Sequence, residues 1–300
     1  MKYSIAIAGS TKRTAQVAET LLNDGRFNIT FIVTPQPRAI GRQQTLTKNP
    51  LHSFAAENKL PVILVNKKID ENIEQQIKKH FEQASLDFFL VVDFGFLVPK
   101  WLLKMPKIAP LNIHPSKLPH WRGSSPGQFV LLNGETESAV TLMVMNEALD
   151  EGPIIAQLPF SVEPSWTQTE YYQHSFDLIC SQLGDLINQF AQGKLKAAPQ
   201  PTQSPTPVAD RLSKQAAFRS WIEIQRAVNN AANAVEIEQA CRAYYPWPKL
   251  WTLVPTSQGE KRLIIHRCQL SRAGQLELNQ VQLEGKKITS WSEVKNTILN

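Results

Sequence analysis

Three hundred residues, 42% of them apolar and 19% charged, are too many for one typical domain and too ordinary in composition for an intrinsically disordered chain, so two folded domains are expected. The formal charge of +6 is unevenly spread: residues 211–300 hold 13 of the 32 Lys/Arg but only 7 of the 26 Asp/Glu, so the excess sits in the last third. No stretch of about 18 apolar residues occurs and the apolar run at 3–8 is too short for a signal-peptide core, so a soluble cytoplasmic protein with no membrane segment is expected.

In chain order, the alternating-to-continuous apolar run Tyr3–Ala8, closed by Gly9, predicts a strand, and Ala15, Val17, Ala18, Leu21 and Leu22 predict a helix over 11–23. A strand over 28–33, a helix over 51–58, a strand over 61–65, a helix over 70–83 and a strand over 87–92 follow. This alternation predicts an α/β domain with a doubly wound, mostly parallel, Rossmann-like sheet, whose ligands bind beyond the carboxyl ends of the strands. The turn Gly9-Ser10-Thr11-Lys12-Arg13 lacks the second and third glycines of a dinucleotide fingerprint and is no P-loop either, so no nicotinamide cofactor is expected. Strands are further predicted over 108–113, 140–145 and 153–157. Four prolines in 198–207 predict an extended, semi-rigid connector, which divides the chain into a domain over 1–197, a linker over 198–210 and a second domain over 211–300. In the last of these a helix over 231–243 and short strands over 250–254, 262–270, 274–281 and 285–288 predict a small β-barrel of the OB type. Its basic charge suits a polyanionic partner, most economically a nucleic acid.

The three cysteines, Cys180, Cys241 and Cys268, are widely spaced with no Cys-x-x-Cys pair, and no His, Cys and carboxylate cluster stands at ligand spacing, so neither disulfides nor a metal site are expected. Reactive residues concentrate instead in 111–123. In a strand ending at Pro115, Asn112 and His114 share one face, and Asp150, in a turn between two strands, can swing back to the imidazole. An amide, an imidazole and a carboxylate without a Ser or Cys in a nucleophile elbow suit a reaction whose substrate brings its own nucleophile. The enzyme then supplies an oxyanion donor and a proton carrier near neutrality, and acyl transfer to an amine fits.

Asn112-Ile113-His114, Ser116-Lys117-Leu118-Pro119, Trp121-Arg122-Gly123, Pro126 and Leu149-Asp150-Glu151-Gly152 resemble the signature of the folate-dependent formyltransferases. The likeness runs over nearly the whole chain and is strongest over 94–157. It implies 10-formyltetrahydrofolate as formyl donor and a primary amine as acceptor, with Asn112, His114 and Asp150 catalytic. It also implies a folate-contacting turn at Ser116, Lys117, Leu118 and Pro119. Phe94, Phe96 and Leu97, after the 87–92 strand, are candidates to wall the pterin slot. Lys117, Pro115 and Asp93 depart from the residues usual in the family. The stretch 34–50 looks like the basic insertion with which one branch of the family enters the acceptor end of initiator methionyl-tRNA, with Arg38, Arg42 and Lys48 as contacts. Leu212-Ser213-Lys214, Trp221 and Arg242-Ala243-Tyr244-Tyr245-Pro246-Trp247-Pro248 resemble the start of that branch's tRNA-binding domain, which adds a role in translation initiation and a monomeric state to what the resemblance implies. Two alternatives stay open: a formyltransferase for a small amine such as an amino-sugar nucleotide, and an inactive tRNA- or folate-binding relative.

Overall fold

A computed structural model describes residues 2–41, 43–83 and 85–299. The chain runs β1 (Tyr3–Gly9), α1 (Lys12–Asn23), β2 (Phe27–Pro35), β3 (Arg38–Ile40), β4 (Thr45–Thr47), α2 (Pro50–Glu57), β5 (Val62–Val65), α3 (Glu71–Gln83), β6 (Phe88–Val92), α4 (Lys100–Leu103) and β7 (Ala109–His114). It continues with α5 (Pro126–Leu132), β8 (Glu137–Val144), β9 (Ile154–Ser161), α6 (Gln168–Ala191), α7 (Trp221–Asn230), α8 (Ala234–Tyr244), β10 (Leu250–Thr256), β11 (Gly259–Leu270), β12 (Leu276–Leu283), β13 (Thr289–Ser290) and α9 (Trp291–Val294).

Two compact units emerge. The first gathers Met1–Arg122, Ala139–Pro159 and Gln173–Pro207, and the second Gly123–Ser138, Phe160–Tyr172 and Val208–Asn300. In the first, seven strands lie in the order β5-β2-β1-β6-β7-β8-β9. β1, β2, β5, β6 and β7 are parallel and β8 is antiparallel to β7, giving the expected Rossmann-like sheet with an antiparallel margin. β1 and β6 are buried on both faces, as central parallel strands must be, and Ala6, Ala8, Phe31, Val33, Phe89 and Leu102 share one core cluster. The order of strands reverses between β1 and β6, the crossover point where open α/β sheets take ligands. Gly9 is required there, because a Cβ would stand 2.1 Å from the Val92 carbonyl oxygen.

Local sequence explains the starts of the helices around this edge. Thr11 caps α1 with a reciprocal bond to Thr14, satisfying amide groups that the first turn leaves open. Asn49 caps α2 through the His52 amide, with Pro50 set at the position where its missing N–H costs nothing.

In the second unit β10, β11, β12 and β13 form an antiparallel sheet in that order, packed with α7 and α8 around Ile224, Ile237, Leu250, Leu263 and Val281. The free edge of β10 carries isolated bridges from Phe218 and Ile298. A closed barrel is not what the described ladders form; they make an open sheet with β10 and β13 at its margins. The strand expected over 285–288 is the turn between β12 and β13, with Gly285 at φ +76° and the Lys286 amide donating to the Leu283 carbonyl. Among the described residues no helix is long and apolar enough to cross a membrane.

Candidate active site

β7 is the last parallel strand of the sheet, with Leu111 and Ile113 buried in the sheet and Asn112 and His114 alternating to the other face. Asp150 reaches this face from the turn between β8 and β9. Its Oδ1 accepts from Asn112 Nδ2 at 3.4 Å and lies 3.6 Å from His114 Nδ1. The second distance is an ion-pair approach and longer than a hydrogen bond. Side chains of His114 and Asp150 are only 5% and 9% exposed, so the pair works in a medium far less screening than water.

The other ring nitrogen of His114 fixes its protonation pattern. Nε2 lies 3.0 Å from the Trp121 carbonyl oxygen, which can only accept, so Nε2 carries a proton. In the neutral ring Nδ1 is then a lone pair facing Asp150, and in the charged ring it is a second N–H. A proton carrier with one fixed and one working nitrogen results.

The turn after β7 is tied down by residues far away in sequence. Thr141 Oγ1 donates to the Ser116 carbonyl at 2.6 Å, Gln157 Nε2 to the Leu118 carbonyl at 2.7 Å, and Ser204 Oγ to the Pro119 carbonyl at 2.8 Å. Ser116 is fully buried and its hydroxyl donates to the His120 carbonyl at 2.6 Å, and Leu118 is also buried, so this turn presents backbone, Pro119 and the exposed Lys117 rather than the Ser116 and Leu118 side chains. Asp150 adopts φ +55°, a left-handed conformation that Asp tolerates better than most residues. Gly152 cannot carry a side chain, since a Cβ would meet the Val144 carbonyl at 1.8 Å.

Beyond β6, Phe94 is buried and meets Phe96 edge-on with ring centroids 5.3 Å apart, while Leu97 is 90% exposed. The preceding Asp93, at φ +49°, accepts on Oδ2 from Thr11 Oγ1 at 2.8 Å and Arg13 Nε at 2.7 Å, which pins the loop to the start of α1. Arg38 and Lys48 lie elsewhere, exposed at opposite ends of the stretch that holds the β3–β4 hairpin, and Arg42 falls outside the described residues. Sequence reasoning missed Thr141, Gln157, Arg122 and Gln200 as supports of the site. The signal available was small: Thr141 and Gln157 are polar residues inside largely apolar strands, Arg122 lies in the Trp121-Arg122-Gly123 stretch, and Gln200 lies in the proline-rich segment.

Among the described residues no three His, Cys, Asp or Glu side chains gather as metal ligands. A family model described as formyl transferase matches residues 1–179. Methionyl-tRNA formyltransferase of Myxococcus xanthus (strain DK1622) is 30% identical over 242 residues, which are 81% of this chain and 72% of that protein. The fold is shared with solved structures, among them two formyltransferases. Methionyl-tRNA formyltransferase from Clostridium thermocellum superposes with a TM-score of 0.61 at 12% identity, over 94% of this chain and 99% of that one. The N-formyltransferase from Helicobacter canadensis, in complex with folinic acid and dTDP-3-aminofucose, reaches 0.63 at 19% identity, over 96% and 98%. With a matched domain that contains Asn112, His114 and Asp150, this chain belongs to the formyl transferase family.

Proposed function

We propose that the chain transfers the formyl group of 10-formyltetrahydrofolate to the amino group of methionine on initiator tRNA, with Asn112, His114 and Asp150 as the catalytic residues. The observation that carries the chemistry is the meeting of Asn112 and His114 on one oxygen of Asp150, with the His114 and Asp150 side chains almost wholly buried. The residues fit a folate: Leu97 exposes an apolar side chain one residue after the Phe94–Phe96 pair, and the 116–119 turn is fixed through its carbonyls by Thr141 and Gln157. Phe94, Phe96, Leu97 and the turn at Ser116, Lys117, Leu118 and Pro119 would hold it.

When bound, the folate supplies a formyl group activated as an amide on N10. The chain's residues supply the rest. Asn112 donates an amide hydrogen toward the formyl oxygen as negative charge grows there, a stabilisation whose loss typically costs about 10²–10³ in rate. His114 Nδ1 would accept the proton that the attacking amine loses as its bond to the formyl carbon forms and return it to N10 as the C–N10 bond breaks, with Asp150 stabilising the imidazolium in between. Their burial excludes the water that would weaken both effects.

For the acceptor, the support is the 30% identity over 72% of a methionyl-tRNA formyltransferase, together with the basic excess in 211–300 and the exposed Arg38 and Lys48. In this reading 1–197 carries out the chemistry and 211–300 grips tRNA. An amino-sugar nucleotide is the second reading, favoured by the likeness to the Helicobacter canadensis enzyme over 96% of this chain. Offering charged initiator tRNA and dTDP-3-aminofucose side by side with the formyl donor decides it. Formylation of the tRNA with a far higher kcat/KM upholds the proposal, and preference for the sugar nucleotide rejects it.

A further inference from the structure

We infer that the proline-rich segment over 198–207 is a positioning strap for Asp150, acting through Gln200; the inference rests on Asp150 being catalytic. Gln200 Nε2 donates to the carbonyls of both Asp150, at 2.9 Å, and Gly152, at 2.7 Å. Its Oε1 accepts from Arg122 Nε at 3.3 Å and Nη2 at 3.1 Å. The primary amide therefore uses both hydrogens and its oxygen, a set that only Asn or Gln can provide.

Arg122 is 6% exposed and is itself saturated by the same segments. Nη2 donates to the Pro201 carbonyl at 2.8 Å, Nη1 to the Thr202 carbonyl at 3.3 Å, and Nη1 lies 3.4 Å from Glu151 Oε1. The guanidinium thus clamps the strap on one side and the Asp150 turn on the other. Anchors flank the clamp. Ala198 exchanges two backbone bonds of 2.8 Å with Ile154, and Thr206 Oγ1 accepts the Trp121 amide at 2.7 Å. Pro199 and Pro201 on either side of Gln200 limit the freedom the segment loses when it is held.

The turn needs such a hold. A non-glycine residue at φ +55° carries backbone strain that its surroundings must hold, and the two carbonyls that Gln200 fixes, those of Asp150 itself and of Gly152, pin the chain as it leaves Asp150. Releasing them lets the carboxylate leave the single position that meets both Asn112 and His114. A displacement of about 1 Å is enough to cost a large factor in rate.

The test compares Gln200→Ala and Gln200→Glu in the full chain with wild type and with the same changes in an Asp150→Asn background. Glu keeps the shape of Gln and its bond to Arg122 but cannot donate to the two carbonyls. Expected are a kcat lowered about tenfold to a hundredfold with KM for donor and acceptor unchanged, a thermal midpoint for Gln200→Glu lowered by no more than about a few degrees, and faster amide hydrogen exchange over 147–152 without substrates. In the Asp150→Asn background the Gln200 changes should add less than twofold. An equal loss in both backgrounds, unaltered exchange over 147–152, or a normal kcat for Gln200→Glu overturns the strap while leaving Asp150 catalytic. A wild-type rate for Asp150→Asn alone overturns the catalytic reading and the strap with it.

Discussion

The end of β7 and the β3–β4 hairpin are both singled out by their residues, and the structure treats them in opposite ways. At the end of β7, the His114 and Asp150 side chains are nearly inaccessible, and the polar groups of the site and of the turn that follows meet partners on 120–121, on β8 and β9 or the turn between them, and on the proline-rich strap. In the hairpin all six strand residues are exposed, Ile40 at 59% and Leu46 at 74%, and β3 and β4 pair in a sheet of their own. Burying polar groups is tolerable only when they are bonded, so the first region is organised before any substrate arrives. Solvated charges and an exposed apolar ridge hold little energy in the free protein, so whatever the second region contributes is released only when a partner meets it.

The largest expected effects test the organised region. Asn112→Ala and Asp150→Asn should each lower kcat by about 10²–10³ while KM for the acceptor changes little, since both groups act on charge that develops during reaction. Steady-state kinetics with both substrates varied checks this, and a loss confined to KM would put these residues in binding alone.

A smaller effect is expected from the hairpin. The Arg38→Ala/Lys48→Ala double variant should weaken tRNA binding in proportion to the number of phosphates these two cations neutralise, and the slope of log affinity against log salt should shrink by about one unit per phosphate. Titrations at several salt concentrations read both quantities, and an unchanged slope removes the hairpin from the tRNA interface. Leu46→Ala should shift folding stability by no more than about 0.5 kcal/mol in denaturant melts, as exposed substitutions do. By contrast Leu111→Ala, in buried β7, should cost about 2–5 kcal/mol.

The smallest effect lies at the hairpin's foot. Burial and the nearby Lys48 charge hold the His52 imidazole below its usual value of 6.5, and its Nδ1 is buried with no hydrogen-bond partner among the described residues. The folded state therefore binds this proton less readily than the unfolded chain. Its contribution to stability is complete above 6.5 and declines as pH falls from there toward the lowered folded value. A proton titration of His52 by NMR should show the depression and its partial relief in Lys48→Ala; a His52 that titrates at or above 6.5 contradicts it.

Much of this contrast is legible in sequence. Alternating strands and helices over 3–92 announce the parallel sheet, and the i, i+2 spacing of Asn112 and His114 puts them on one face. α6 and α7 are absent from the expected elements although Tyr172, Phe176, Ile179, Leu183 and Ile187 follow the helical period, and the hairpin is legible only as a loop because its short strands have no buried face to impose alternation. The supports of the site are illegible for another reason. Thr141, Gln157 and Gln200 reach partners 25, 39 and 50 residues away, so local sequence does not show what they hold. A proline-rich stretch has the composition of a passive spacer, and only its tertiary bonds distinguish a strap from a linker.

The most direct measurement is the single-turnover rate of formyl transfer by His114→Ala, at saturating formyl donor and charged initiator tRNA, beside wild type under the same salt. With Nε2 fixed on the Trp121 carbonyl and Nδ1 as the proton carrier beside Asp150, the rate should fall by at least about 10² while the tRNA still binds with near-normal affinity. A rate within a few fold of wild type would contradict the assignment of the chemistry to the end of β7.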